Sequence, residues 1–259
     1  MVKTIAISSG KGGVGKTSLA VNSSIRLSME GKRVALLDAD FGMANSHILL
    51  DQKVENTVQE ILENDINIVD VVHETASGLK LIPGGSGVLE LLNLDSKKRW
   101  EIIRSLDPLE ESLDFLIVDT PAGASDASIE FAAACDKVIV VLVPEPTSFM
   151  DAYAFIKALN IEKNFQNVSV VVNLAPNALS AKKSFESFKK IVTKFLSIEI
   201  EYVGWLPKSN LMASSIVSRK PVILDKSLDQ TLKDNFSSIA KCFLSFQENR
   251  SSGIKFFNK

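Results

Sequence analysis

Short apolar runs rich in β-branched residues recur along the chain, separated by longer stretches whose apolar residues return every three or four positions. The runs Val2–Ser8, Arg33–Leu37, Leu79–Ile82, Phe115–Val118, Val138–Val143, Val168–Leu174 and Glu201–Trp205 predict strands. Several are almost continuously apolar, which is the pattern of a strand covered on both faces in a parallel sheet. The longer period predicts helices over Lys16–Glu30, closed by Gly31, over Thr57–Asn64 after Asn56 as N-cap, and over Thr147–Asn160, Ala181–Leu196 and Leu228–Phe246. Alternation of this kind predicts an α/β fold: a doubly wound, mostly parallel sheet of seven to eight strands with helices on both faces. No Pro/Gly/Ser-rich linker and no internal repeat divides the chain. The expectation is one domain over residues 1–247 and a short tail over 248–259.

Composition narrows the picture by exclusion. A net charge of −2 over 259 residues gives no bulk field that would recruit nucleic acid. Cys135 and Cys242 lie far apart and form no CxxC pair, which argues against a disulfide framework or a structural zinc site. The start MVKTIAIS lacks a signal-like apolar core, and no apolar run approaches the roughly 20 residues of a membrane span. The expected location is cytoplasmic.

Gly10–Thr17, GKGGVGKT, matches the Walker A pattern GxxxxGK[ST] between a predicted strand and a predicted helix. Its glycines let backbone N–H groups close around phosphate oxygens, and the helix N-terminus adds partial positive charge. Gly10, Lys11, Gly12, Gly13, Val14, Gly15, Lys16, Thr17 and Ser18 are therefore the candidate phosphate-binding set. Lys16 is placed to reach the β- and γ-phosphates, and the Thr17 hydroxyl to ligate Mg²⁺. Lys11 is a second cation in the same tight loop, one more than phosphate binding requires.

Two apolar strands end in acid. LLDAD places Asp38 and Asp40 at a strand's carboxyl end, where ligands bind in open α/β sheets. LDFLIVDTPAG ends in Asp119, the Walker B arrangement that holds Mg²⁺ through its water shell. Gly123 gives the following loop freedom to move with the γ-phosphate, so residues 120–123 read as a switch.

The loop KGGVGKT resembles the deviant Walker A of the MinD/ParA family of P-loop ATPases. The segments DADFGMANSHILL and LIPGGSGVLEL, and the run from VDTPAGASD to EPTSFMDAYAFIKAL, are most similar to its FlhG/FleN (YlxH) branch, which controls flagellar number and placement. The likeness covers roughly residues 2–245. It implies a slow, dimer-activated ATPase in which Lys16 acts within its own subunit and Lys11 crosses to phosphates bound by the partner. By the same resemblance Asp40 orients the attacking water or ligates through it, Asp38 holds its loop, and Asp151 lies near the dimer face. Asn173 and Pro207 would contact the adenine. No NKxD guanine reader follows Asn173, so ATP is expected rather than GTP.

The resemblance also implies an ATP-dependent homodimer with a protein partner, either a flagellar transcription activator or the SRP-type flagellar GTPase FlhF. Many branch members carry a GTPase-activating segment ahead of the first strand. Here that strand begins at Val2, which leaves GTPase stimulation in doubt. The tail, with Ile254, Phe256 and Phe257 among Lys255 and Lys259, is similar to the lipid-touching C-terminus of MinD relatives and implies a weak peripheral contact at the inner face of the membrane. An iron–sulfur role would need cysteines at a dimer axis, which neither position suggests. The alternatives are a ParA-type DNA-partitioning ATPase, against which the scattered lysine pairs and mild acidity speak, a MinD-type division-site ATPase, and a metabolic P-loop transferase.

Overall fold

The apolar runs form strands β1 (Lys3–Ser8), β2 (Val34–Asp38), β4 (Lys80–Ile82), β5 (Phe115–Asp119), β6 (Lys137–Leu142), β7 (Val168–Ala175) and β8 (Ile200–Pro207). An eighth strand, β3 (His73–Glu74), is only two residues long and carries no apolar run that could announce it. These assignments come from a computed structural model that describes residues 1–41, 44–64, 66–85, 94–196, 198–246 and 254–257. The sheet order is β3-β4-β2-β5-β1-β6-β7-β8, parallel throughout except for the antiparallel β3–β4 pair at the edge. The mostly parallel α/β sheet expected from the alternation is what forms.

One face of the sheet is covered by α1 (Lys16–Met29), α9 (Asn210–Val217) and α10 (Gln230–Ser245). Their side chains pack with Ile5, Ile7, Leu36, Ile117, Ile139 and Val171. The other face packs Ala6, Leu37, Val118, Val140 and Val170 against α3 (Val58–Asn64), α5 (Ser96–Ser105), α6 (Asp126–Ala133), α7 (Pro146–Lys163) and α8 (Ala178–Phe195). The short helices α2 (Ser46–Leu49) and α4 (Ile68–Val71) occupy the connections around β2 and β3. Alternate residues of each central strand thus serve opposite cores, which explains why those strands read as unbroken apolar runs.

The sequence does not predict α5, α6 or α9. The first buries only Arg99, Ile102 and Ile103, and the second, DASIEFAA, is only eight residues long, so neither shows a long apolar period. The tail differs most from expectation. Lys255, Phe256 and Phe257 are buried against the domain, and the two phenylalanines belong to the larger core, while Ile254 is half exposed. Two phenylalanines that find an apolar slot in their own domain gain more from it than from solvent exposure. Residues 247–253 and 258–259 lie outside the described set, as do Gly42, Met43 and 86–93 from the segments that carry the resemblance.

Candidate functional site

The register of three neighbouring strands assembles the site. Asp38 ends β2 directly opposite Asp119 of β5, and Asp119 pairs with Ile7 of β1, three residues before the phosphate loop begins at Gly10. The order of the strands changes direction around β1, the place where α/β sheets open a ligand crevice.

The loop itself is shaped by its glycines. Gly13 and Gly15 have φ of 77° and 87°, left-handed values that L side chains avoid. Gly10 serves closeness instead: a Cβ there would lie 2.1 Å from the backbone carbonyl carbon of Asp151. The backbone of Asp151 therefore packs on the loop, while its carboxylate is only half buried. Gly10→Ala should displace α7 or the loop, lowering stability by about 3 kcal/mol, the scale of overpacking in a tight core. For a chain of this size that is a fall of roughly 10 °C in melting temperature, measurable by calorimetry.

α1 starts at Lys16 with Gly15 as N-cap, no capping side chain and no acidic residue in its first turn. Its first N–H groups are thus left for an external acceptor. Gly12 and Gly13 are exposed, Thr17 is half buried, and Lys16 and Ser18 are buried. Val14 is buried, and its carbonyl accepts a 2.7 Å hydrogen bond from Asn173 Nδ2. Asn173 Oδ1 accepts from the N–H of Leu174, so this side chain braces the phosphate loop from beneath. Pro207 pairs with Ala175, which brings the ends of β7 and β8 together beside that brace.

The two lysines of the loop go to different places. Lys16 Nζ forms a buried ion pair with Asp119 Oδ1 at 2.7 Å. Lys11 Nζ instead reaches Glu145 Oε2 at 2.9 Å and Thr147 Oγ1 at 3.2 Å, near the surface at the start of α7. Glu145 and Thr147 are the partners that sequence reading missed. They come within reach because EPTS follows β6 and β6 lies beside β1 in the sheet.

Asp38 holds its loop, accepting from the backbone N–H groups of Ser46 (2.8 Å), Asn45 (3.0 Å) and Asp40 (3.3 Å). Burial, reinforced by the Asp119 charge, pushes its pKa up to about 6. Burial also raises Asp40, with Asp119 adding to the effect and Lys16 opposing it. Because the folded pKa of Asp38 exceeds that of an unfolded aspartate, the folded chain holds the extra proton between about pH 4 and pH 6. Stability of the nucleotide-free protein should therefore fall as pH rises through that window and level off above it. Asp38→Asn should flatten this slope in thermal melts taken from pH 4 to pH 7.

The donor set suits Mg²⁺. Asp119 Oδ2 is buried without a hydrogen-bond partner among the described residues, beside the Thr17 hydroxyl's helix and within the field of Asp40. A buried carboxylate oxygen left unpaired is costly unless a cation or its water shell completes it. Gly123, at φ 86°, donates its N–H to the Ser9 carbonyl at 2.9 Å, so the second acidic loop is tied directly to the phosphate loop.

Comparison with known proteins agrees with this geometry. A family model described as an AAA domain matches residues 2–172, and one described as NUBPL iron-transfer P-loop NTPase matches residues 102–244. In this chain Cys135 is buried at the end of α6 and Cys242 lies on α10. The chain is 34% identical to the antiactivator FleN of Pseudomonas aeruginosa, over 85% of its own length and 79% of FleN. It is 32% identical to the flagellum site-determining protein YlxH of Helicobacter pylori, over 84% of its length and 74% of YlxH. The MinC:MinD cell division protein complex of Aquifex aeolicus contains a chain that superposes with a TM-score of 0.77 at 25% identity, covering 97% of this chain and all of that one. With a two-lysine phosphate loop set in that sheet, and relatives of this identity along most of its length, the chain belongs to the MinD/ParA family of P-loop ATPases.

Proposed function

We propose that this chain is an ATP-gated dimer switch that regulates flagellar number or placement, as the names FleN and YlxH suggest for its relatives. The observation that carries the switch is the divergence of its two loop lysines. Lys16 already serves its own acidic cluster, whereas Lys11 sits at the surface on Glu145 and Thr147, where a docking partner could draw it away.

The residues divide the work as follows. The backbone of Gly10–Gly15 and the start of α1 hold the phosphates, and Lys16 exchanges Asp119 for them. Asn173 fixes the loop beneath, and with Pro207 flanks the adenine. Thr17, Asp40 and Asp119 would hold Mg²⁺, which when bound neutralises charge on the phosphate oxygens. Asp40, raised in pKa and half buried, orients the attacking water. Lys11 leaves Glu145 as a second subunit docks and stabilises charge on the partner's departing phosphate, in the manner of an arginine finger. Hydrolysis gives ADP and phosphate and removes the charge that held Lys11, so the dimer parts. A lone subunit lacks that charge and turns over slowly; each tenfold loss corresponds to about 1.4 kcal/mol of barrier.

The partner would be a flagellar transcription activator or an SRP-type flagellar GTPase, recognised by the surface that docking creates. The proposal is tested by counting flagella in cells lacking the protein and by ATP-dependent pull-down with both partner candidates. Altered flagellar number and capture of either partner support it. Normal flagellation, with ATP-dependent, salt-sensitive binding to arbitrary DNA instead, would favour a partitioning ATPase.

A further inference from the structure

Between the two clamped ends of the phosphate loop lies a short free span. At one end Gly10 is pressed on the backbone of Asp151, where a Cβ would meet the carbonyl carbon at 2.1 Å. At the other, the Val14 carbonyl is gripped by Asn173 Nδ2 at 2.7 Å. Gly12 and Gly13 between them are exposed, and a Cβ on either would have no heavy atom within 4 Å. Two adjacent glycines in open space let a peptide plane turn over at little steric cost.

Among the described residues, one side-chain hydrogen bond reaches the backbone of residues 11–13. Ser9 Oγ donates it to the Lys11 carbonyl at 2.9 Å. Ser9 is only 1% exposed, and its own position is fixed. Its carbonyl accepts from the Gly123 N–H at 2.9 Å, while the preceding Ser8 accepts from Thr120 Oγ1 at 2.9 Å and pairs in register with Val140 of β6. The carbonyl and the N–H of one trans peptide point opposite ways. Holding the Lys11 carbonyl toward Ser9 therefore turns the Gly12 N–H away from the strand end, and that N–H has no acceptor among the described residues. An N–H presented in this way suits a phosphate oxygen.

We infer that Ser9 is a positioning residue whose hydroxyl pins the Lys11–Gly12 peptide in its phosphate-binding orientation before any nucleotide arrives. The inference rests on the proposed reading of this loop as an ATP site. Without the hydroxyl, the Lys11 carbonyl faces a buried spot that offers no donor, and it gains by turning out to water. A carbonyl oxygen, rather than an N–H, then meets the incoming phosphate. Nucleotide must bind from a minority conformation, and its apparent affinity falls by that fraction. Ser9 acts through the loop, so its loss is felt in binding rather than in the chemical step.

The test compares the wild-type chain with Ser9→Ala and Ser9→Cys, by calorimetric titration with Mg-ADP and with a non-hydrolysable ATP analogue, by steady-state ATPase and by thermal melts. Cysteine keeps the volume but is a weak donor. Both variants should therefore bind either nucleotide about fivefold more weakly, the weight of one hydrogen bond. KM should rise by a similar factor while kcat stays within about twofold. The melting temperature without nucleotide should fall by no more than about 4 °C. Ser9→Thr keeps the donor and should restore the affinity. If Ser9→Ala binds both nucleotides within about twofold of wild type, the hydroxyl does not set the loop and the inference fails. It fails equally if affinity, kcat and melting temperature all collapse together, which marks a general support of the fold. Should the added methyl keep Ser9→Thr from folding, the alanine and cysteine variants decide the matter by themselves. If the wild-type chain binds neither nucleotide, the reading of the loop as an ATP site is wrong, and the role of Ser9 falls with it.

Discussion

Lys16→Ala will lose nucleotide binding and at least about a hundredfold in turnover, because it removes the cation placed to meet the phosphates. It will also destabilise the fold. Lys16 is the partner of Asp119 inside a buried cluster that includes Asp38, and both carboxylates are about 1% exposed. Removing one member of a buried pair typically costs about 3–5 kcal/mol, since the remaining charge stays desolvated. For a chain of this length that corresponds to a fall of roughly 10 °C or more in melting temperature. Protonation offers an escape. Asp38 is already pushed up to about 6, so the deficit relative to wild type should shrink when the melt is repeated near pH 5. Calorimetric titration with ATP and melts at the two pH values check both halves of this expectation.

Lys11→Ala should behave in the opposite way, although it lies only five positions earlier. Its ion pair with Glu145 is exposed on both sides, with side chains 30% and 60% accessible. Such a pair contributes at most about 1 kcal/mol, so the melting temperature should barely change. ATP binding should persist, because the phosphate cradle and Lys16 are intact. What should disappear is ATP-dependent dimerisation in sedimentation velocity, together with about a thousandfold in turnover, the lower range for a charge supplied in trans. A variant that is stable, binds ATP and yet neither pairs nor hydrolyses would separate Lys11 from its neighbour by function.

Much of this was legible in the sequence because it depends on local chemistry. Spacing alone placed the phosphate loop, and an apolar strand ending in acid located Asp38 and Asp119 before any register was known. The sheet turned those two positions into neighbours, as Asp38 opposite Asp119. What the sequence concealed was long-range. Lys11 and Glu145 are separated by 134 positions, and nothing local in EPTS announces an ion pair with the phosphate loop. Asn173 read as a base contact, and nothing local announced that its amide also donates to the Val14 carbonyl where β7 runs beneath the loop. β3 and α6 were invisible for a different reason. Two polar residues and an eight-residue segment are too short to establish a period, and their structure is imposed by neighbours rather than by propensity. In the tail, Phe256 and Phe257 beside lysines suit lipid and a protein slot equally well, and the acceptors at Ala133, Ala134 and Cys135 that seat the segment on its own domain are too distant in sequence to be read locally.

The claim on which the rest depends is that one subunit's Lys11 serves the other subunit's phosphates, and mixing two inactive variants tests it most directly. Lys11→Ala keeps its own Lys16 and Asp40 but has no cation to lend; Asp40→Ala lends its Lys11 but cannot orient water. In an equimolar mixture each mixed dimer contains one complete site and one Lys11 that crosses to it, so ATPase activity should return, to about half of wild type at most when every dimer is mixed. If the mixture stays as inactive as its components while sedimentation shows mixed dimers forming, Lys11 does not act across the interface.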